Sequence, residues 1–336
     1  MQSSTGKVTL KDVAARTGVS AAAVSLALRG RSGVSAGTRS RIAAVAEEMG
    51  YHAIGRGSGR ETAGTVGVVL RDIVSVFSHD VVSGMESATA DPNLRLIFFD
   101  GRGDQEHIRA EFDKLKDQKL KGIVNFGAAI HPRMLQKVAQ RTPVVIIGKT
   151  EIVVPGVDVV SNDDVLGARL AVKHLIELGH THIAHLCKGS LRVDGYLQQM
   201  AEAGLQLHTQ IEGGALDTVR PGIRYLVLSI LQEKDAATAV FAETDGIAID
   251  FIGAAVDAGL QVPDDVSVVG YDSTRQCEMI RPRLSSVGQP RHQMGIAAMR
   301  LLQERWDGRT EDRHVILKPE LDLRESTYAP VRPVRW

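Results

Sequence analysis

Polar residues that close apolar runs mark where this chain can do chemistry. Asp72 follows Val66–Leu70, Asp100 follows Leu94–Phe99, and Asn125 lies within Gly122–Phe126. Asp245 follows Ala239–Phe241, and Asp272 follows Val266–Tyr271. In open α/β sheets ligands bind beyond the carboxyl ends of the strands, so these side chains are placed to meet one. Carboxylates and an amide accept hydrogen bonds from hydroxyl or N–H groups. A second set lies near the N terminus. Over residues 21–29, Ala22, Ser25, Leu26 and Arg29 share one helical face, opposite Val24, Ala27 and Leu28. A small, partly polar face fits a DNA major groove, and a lone leucine on it has a thymine methyl as a natural partner. The same spacing also fits an antiparallel helix pair packed in a core.

The elements that position the second set are legible. Thr9 caps a helix, with Asp12 at the third helical position to complete a capping box. Leu10, Val13, Ala14 and Thr17 then recur at helical spacing, and Gly18 supplies the left-handed end. Ser20 caps the next helix after a tight turn. Two helices this close resemble a helix-turn-helix, whose second helix enters the major groove. Ser35 caps a third helix bearing Ile42, Val45, Ala46 and Met49, with Gly50 as its stop. Val24 and Leu28 are expected to pack on Ile42 and Val45. Residues 55–64, GRGSGRETAG, hold four glycines and nothing apolar larger than alanine, which is linker composition.

The elements behind the first set begin at Val66. Apolar runs at 66–70, 94–99, 122–126, 144–148, 157–160, 183–186, 239–241 and 266–271 alternate with amphipathic stretches such as Glu106–Leu115, Val165–Leu178 and Gly222–Leu231. Apolar strands separated by helices predict parallel sheets buried on both faces, and the number of strands predicts two doubly wound α/β subdomains.

Charge is distributed unevenly in a chain of net charge zero. Residues 1–60 hold nine Lys and Arg against three Asp and Glu, and the rest of the chain carries the compensating acidic excess. A basic head on an acidic body suits a polyanion partner at one end only. Cys187 and Cys277 form no CxxC pair, the start MQSSTGK has no apolar signal core, and no apolar run approaches membrane-spanning length. A cytoplasmic protein that does not enter membranes is therefore expected. Enzymatic patterns are missing. Gly101-Arg102-Gly103 lacks the third glycine of a dinucleotide fingerprint at Glu106, there is no GxSxG, and His180-Thr181-His182 reads as structural. His79-Asp80 at a helix start reads as a solvated pair. No catalytic residue, metal or cofactor is expected.

The residues quoted so far, in their order, resemble the LacI/GalR family of bacterial transcription repressors. The head VTLKDVAARTGVSAAAVSLALRGRSGVSAGTRSRIAAVAEEMGY is similar to that family's head from Thr9 to Tyr51 without a gap. The blocks LIELGHTHIAHL (175–186), RVDGY (192–196), VPDDVSVVGYDS (262–273), RPRLSSVGQP (281–290) and PELDLRESTY (319–328) resemble its body. The resemblance implies a helix-turn-helix DNA-binding domain over 7–52, a hinge or linker over 53–64, and an effector-binding and dimerisation domain of two subdomains over 65–330. It implies a homodimer on double-stranded operator DNA, a body like periplasmic sugar-binding proteins, and a small-molecule effector, a sugar or sugar derivative. Base-facing positions fall on Ala21, Ala22 and Leu26, and phosphate-facing ones on Thr9, Ser20, Ser25, Ser35 and Thr38. Arg29, Tyr51 and Arg56 complete the DNA-facing set. Effector positions fall on Asp72, Phe77, Arg192, Asp245 and Asp272, with Phe77 as an apolar wall. For Asp245 the alternative is a cap of the helix 246–258. The segment Tyr51 to Arg60 lacks the family's hinge leucine and carries three glycines, so a weak or absent hinge helix is expected.

Overall fold

Among the described residues, three capped helices precede the first strand. The computed structural model describes residues 9–28, 33–49, 64–71, 76–89, 91–102, 104–115, 119–127, 130–148, 153–187, 190–207, 210–212, 216–232 and 236–330. The chain divides into two compact units between Gly64 and Thr65. The hinge segment 51–60 lies outside the described residues.

In the first unit, α1 (Leu10–Thr17) opens with the Thr9–Asp12 capping box. The Asp12 carboxylate accepts from the Thr9 N–H at 2.7 Å and from its hydroxyl at 2.6 Å. Gly18 ends the helix at φ 69° and donates to the Ala14 carbonyl, a conformation that a side chain would oppose. In α2 (Ala21–Leu28) the Ala23 N–H donates to Ser20 Oγ at 3.1 Å. In α3 (Ala36–Glu48) the Thr38 N–H donates to Ser35 Oγ at 3.3 Å. Val13, Ala14, Val24, Ala27, Ile42 and Ala46 form the core of this unit. Val45, expected beside Ile42, is only half-buried, and Ala46 takes the inward place four residues after Ile42, one turn along the same face.

The second unit alternates strands and helices. It runs β1 (Thr65–Leu70), α4 (Val76–Ser87), β2 (Arg95–Asp100), α5 (Gln105–Leu115), β3 (Gly122–Phe126), α6 (Pro132–Ala139), β4 (Val144–Ile147) and β5 (Val157–Asn162). It continues through α7 (Asp164–Glu177), β6 (Ile183–Cys187), α8 (Leu191–Glu202), β7 (Gln210–Glu212), α9 (Leu216–Gln232), β8 (Ala239–Ala242), α10 (Asp245–Asp257) and β9 (Ser267–Asp272). The last elements are α11 (Gln276–Met279), β10 (Ser285–Gly288), α12 (Arg291–Trp306), β11 (His314–Leu317) and β12 (Glu320–Asp322).

Two sheets result, in the orders β11-β5-β4-β3-β1-β2 and β12-β10-β9-β8-β6-β7. All pairings are parallel except β10 with β12. The chain passes between the sheets after β5, between β10 and α12, and between β11 and β12. Both faces of each sheet are covered, as the apolar strands require. In the N-terminal sheet Val66, Val68 and Val124 meet Met294, Ala298 and Leu302 of α12, while Val69, Ile123 and Ile146 meet Ile108, Phe112 and Leu135. In the C-terminal sheet Val240 and Val268 meet Leu226 and Phe251, while Phe241, Val269 and Tyr271 meet Val172 and Tyr196. Helices α4 and α12 pack backbone to backbone. A Cβ at Gly84 would run into the His292 carbonyl, and one at Gly295 into the Val81 carbonyl.

His180 is a structural hub, within hydrogen-bond distance of Thr238 Oγ1 (2.9 Å), Ser267 Oγ (3.1 Å) and the Tyr328 carbonyl (2.8 Å). Among the described residues, His185, on β6, has no such partner at either ring nitrogen. It is fully buried between the Tyr196 ring at 4.7 Å and the Phe241 ring at 4.9 Å. Burial pushes its pKa down to about 3. The ring is neutral when folded, whereas the unfolded chain binds its proton below its ordinary value of 6.5. The contribution to stability is therefore complete above that pH and is lost as pH falls toward 3. A shift of this kind changes stability by about 1.4 kcal/mol per pH unit. His185→Phe, which keeps the ring stack, is expected to gain on the wild type by roughly 2 kcal/mol between pH 6.5 and 5 in urea unfolding. Parallel pH profiles would contradict this.

Candidate functional site

On the first unit, the hydroxyls of Ser20, Ser35 and Thr38 stand at the starts of α2 and α3, where free backbone N–H groups favour phosphate. Thr9 is exposed at the start of α1. Along α2, Ala22 is exposed, Leu26 keeps 36% of its surface, and Ser25 is half-buried. Ala21, expected outward with them, is half-buried and packs in part against the core. It lies three residues before Val24, and so shares the inward side of the helix. Arg29, Tyr51 and Arg56 lie outside the described residues.

The second unit gathers its charge around Arg192. Ser190 Oγ caps α8 on the Arg192 N–H at 3.2 Å, which sends the Arg192 side chain across the ends of the neighbouring strands. Its Nε donates to Asp164 Oδ1 at 3.0 Å, its Nη1 donates to the Glu243 carbonyl, and its Nη2 lies 3.7 Å from Asp272 Oδ1. The guanidinium lies over the Tyr271 ring, 3.6 Å from its centre. The Tyr271 hydroxyl accepts from Asn162 Nδ2 at 2.7 Å, and Gly167 leaves the space it fills, since a Cβ there would strike it. Each nitrogen of this arginine thus faces an acceptor at or just past the end of β5, β8 or β9. Such an array can bind neutral polyols, because carboxylates take hydroxyl protons and the guanidinium donates, while the buried Tyr271 ring backs the guanidinium.

Asp272 ends β9 at φ 107°, followed by Ser273 at φ 44°. Two successive left-handed residues other than glycine are strained by about 1–3 kcal/mol each and persist only when their surroundings hold them. Here Gln289 Nε2 donates to Asp272 Oδ1 at 2.7 Å, and the Ser273 N–H donates to Ser286 Oγ at 3.0 Å. Arg291 donates to both carbonyls.

Asp245 departs from expectation. It is 2% exposed, and its carboxylate accepts from the Thr274 N–H at 2.6 Å, the Thr274 hydroxyl at 2.9 Å and the Ser286 hydroxyl at 2.5 Å. It ties α10 to the loop after β9 and to β10 itself. It is not the helix cap either, because Thr244 Oγ1 accepts the Ile247 N–H at 3.3 Å. Asp72 lies outside the described residues, as does the side chain of Phe77. Asp164, Asn162, Tyr271, Gln289 and Arg291 were missed in the sequence. Asn162 and Gln289 sit at or just past the ends of β5 and β10, so strand-end position would have found them had the polar parts of those strands been recognised.

A family model described as "Bacterial regulatory proteins, lacI family" matches residues 9–53, and one described as "Periplasmic binding protein-like domain" matches 172–327. Catabolite control protein A of Priestia megaterium is 31% identical over 336 residues, covering 95% of this chain and 99% of that protein. The chain belongs to the LacI family. This LacI-family protein is a DNA-binding transcription regulator with a ligand-binding body, and not an enzyme. The HTH-type transcriptional regulator DegA of Bacillus subtilis (strain 168) is 31% identical over 344 residues, covering 96% of this chain and 98% of that protein. Among solved structures, the transcriptional regulator CelR–cellobiose complex is 28% identical with a TM-score of 0.69, covering 95% of this chain and 99% of that one. The Lac repressor dimer bound to operator and an anti-inducer shares the fold at 24% identity, with a TM-score of 0.75 over 96% of this chain and 100% of that one. Among the described residues no helix is long and apolar enough to cross a membrane.

Burial raises the Asp272 carboxyl to about 6, and Arg192 holds it from rising further. Its proton is therefore expected to titrate near pH 6 in carboxyl carbon NMR of the full chain. In Arg192→Met the midpoint moves up, because the cation that favours the carboxylate is gone while the burial remains. A midpoint near 4 in the wild type, or a downward move in the variant, would contradict the geometry.

Proposed function

We propose that this protein is a repressor whose operator affinity is set by a sugar or sugar derivative bound in the body. The observation that carries the reading is the Arg192 array, in which two carboxylates, a guanidinium and an aromatic face meet at strand ends. The cellobiose complex of CelR supports a saccharide as the ligand class. In this reading Arg192 and Asp272 touch the ligand, with Asp72 and Phe77 from the opposite subdomain, and Asp245 holds the loops that present them. Domain boundaries at 7–52, 53–64 and 65–330 belong to the same proposal.

The DNA face comprises Ala22 and Leu26 toward bases, with Ala21 beside them. Thr9, Ser20, Ser25, Ser35 and Thr38 serve the phosphates, and Arg29, Tyr51 and Arg56 add further backbone or minor-groove contacts. Alanines cannot read bases by bidentate hydrogen bonds, so recognition leans on the Leu26 side chain and on DNA shape. We further propose a homodimer. Tyr225 and Leu228 on α9, Val256 on α10 and Met279 on α11 are each more than half exposed, which fits an apolar face covered by a second copy. Ligand closure of the body would then alter the spacing of two heads on two half-sites.

Three measurements test the reading. The affinity for a duplex selected from random-sequence DNA by the full chain should change about tenfold with at least one saccharide of a panel including cellobiose, a usual size for allosteric coupling. No response to any saccharide would sink the effector reading. Leu26→Ala should weaken that duplex by about 1–2 kcal/mol while leaving non-cognate binding unchanged. Equal loss on both DNAs would make Leu26 a fold residue. Sedimentation equilibrium should report a dimer that Tyr225→Glu with Leu228→Glu dissociates, and a monomeric wild type would refute the dimer.

A further inference from the structure

We propose that Arg291 is the clamp that fixes how the two subdomains of the body meet, and that it links the Asp272 site to helix α4. Arg291 is the first residue of α12, immediately after the crossover from β10, and its side chain is 11% exposed. Its Nε and Nη2 both reach Asp80 Oδ2 of α4 at 2.8 Å, on the N-terminal subdomain. The same guanidinium turns its other edge to the C-terminal subdomain. Nη1 donates to the Asp272 carbonyl, and Nη2 donates to the Ser273 carbonyl at 3.2 Å. Only a planar fork with several donors can serve a carboxylate and two carbonyls at once.

Both carbonyls are presented by residues in left-handed conformations, at φ 107° and 44°. Side-chain bonds lock Ser273 into place. Its hydroxyl donates to Asp322 Oδ2 at 2.5 Å and accepts from Arg324 Nη2 at 2.9 Å. The site and the crossover are also joined through side chains, since Gln289, two residues before Arg291, donates to Asp272 Oδ1 at 2.7 Å. A ligand donor that takes Asp272 Oδ1 competes with Gln289 and so acts on the segment that carries Arg291. Beyond the clamp the motion has a stiff path. Gly84 and Gly295 bring the α4 and α12 backbones into contact, so a shift at the start of α12 is carried into α4 and not absorbed between them. The ligand step rests on the reading of Asp272 given above, but the clamp itself does not.

The test therefore uses neither ligand nor DNA. Spin labels on Lys137→Cys and Asp264→Cys, exposed positions on α6 and before β9, report the distance between the subdomains of the full chain. Cys187 and Cys277 are buried and left in place. Arg291→Met and Asp80→Asn are each expected to shift or broaden the distance distribution by several ångströms. The double variant should go no further than the larger single effect, and Arg291→Lys should fall between. Should Arg291→Met fail to fold, Asp80→Asn, at a half-exposed side chain, carries the test alone. Distributions that superimpose on the wild type overturn the clamp. If the melting temperature falls while the distribution stays put, Arg291 is an ordinary stabilising ion pair and the proposal is again overturned.

Discussion

A guanidinium taken out of water is the constraint on which the body's site depends. Arg192 is 12% exposed at its side chain, and burying a cation costs several kcal/mol unless its surroundings return the lost hydration. They do so from four directions: the Asp164 carboxylate, the Glu243 carbonyl, the Asp272 carboxylate and the Tyr271 face. They come from three places, the start of α7 just past β5, the end of β8 and the end of β9, so satisfying one charge fixes where these lie relative to the start of α8. Removing one acceptor would leave the charge uncompensated, which is why the residues act as a set. The array is thereby pre-formed, with its cation and acceptors held in place by the fold.

The same logic extends outward to the crossover between the sheets. Asp272 shares its carboxylate between Arg192 and Gln289, and its backbone with Arg291, so it belongs at once to the site and to the crossover between the sheets. Its left-handed conformation is strain that these bonds sustain. A residue held by both the site and the connection between subdomains is where occupancy can become geometry. The first unit shows the opposite economy: three short helices, a core of small residues and caps at Thr9, Ser20 and Ser35 make a compact reader of limited intrinsic stability.

What the sequence disclosed was local or strongly periodic. The Thr9–Asp12 box and the left-handed Gly18 are written in single residues, and the apolar runs of β1, β3, β4 and β9 admit no other burial. The strands β7, β11 and β12 escaped because they are short and lie at or next to sheet edges, where few apolar residues are required, and β10 because it opens with two serines. In the site, strand-end position picked out Asp245 and Asp272 alike but could not show depth. Three donors from Thr274 and Ser286, distant in sequence, turn Asp245 into a tie within the fold. Arg192 was legible only through family resemblance, since nothing in RVDGY by itself brings it to Asp164 and Tyr271. Ala21 came from the resemblance and not from the helical face, and its half-buried place beside Val24 depends on how α2 packs on the core.

In the proposed function Asp272 converts ligand binding into a change of DNA affinity. The most direct measurement is operator affinity as a function of saccharide concentration, taken on the full chain and on Asp272→Asn. Both proteins should bind the operator equally well without saccharide. Only the wild type should then shift as saccharide is added. Superimposable dose–response curves for the two proteins would contradict it.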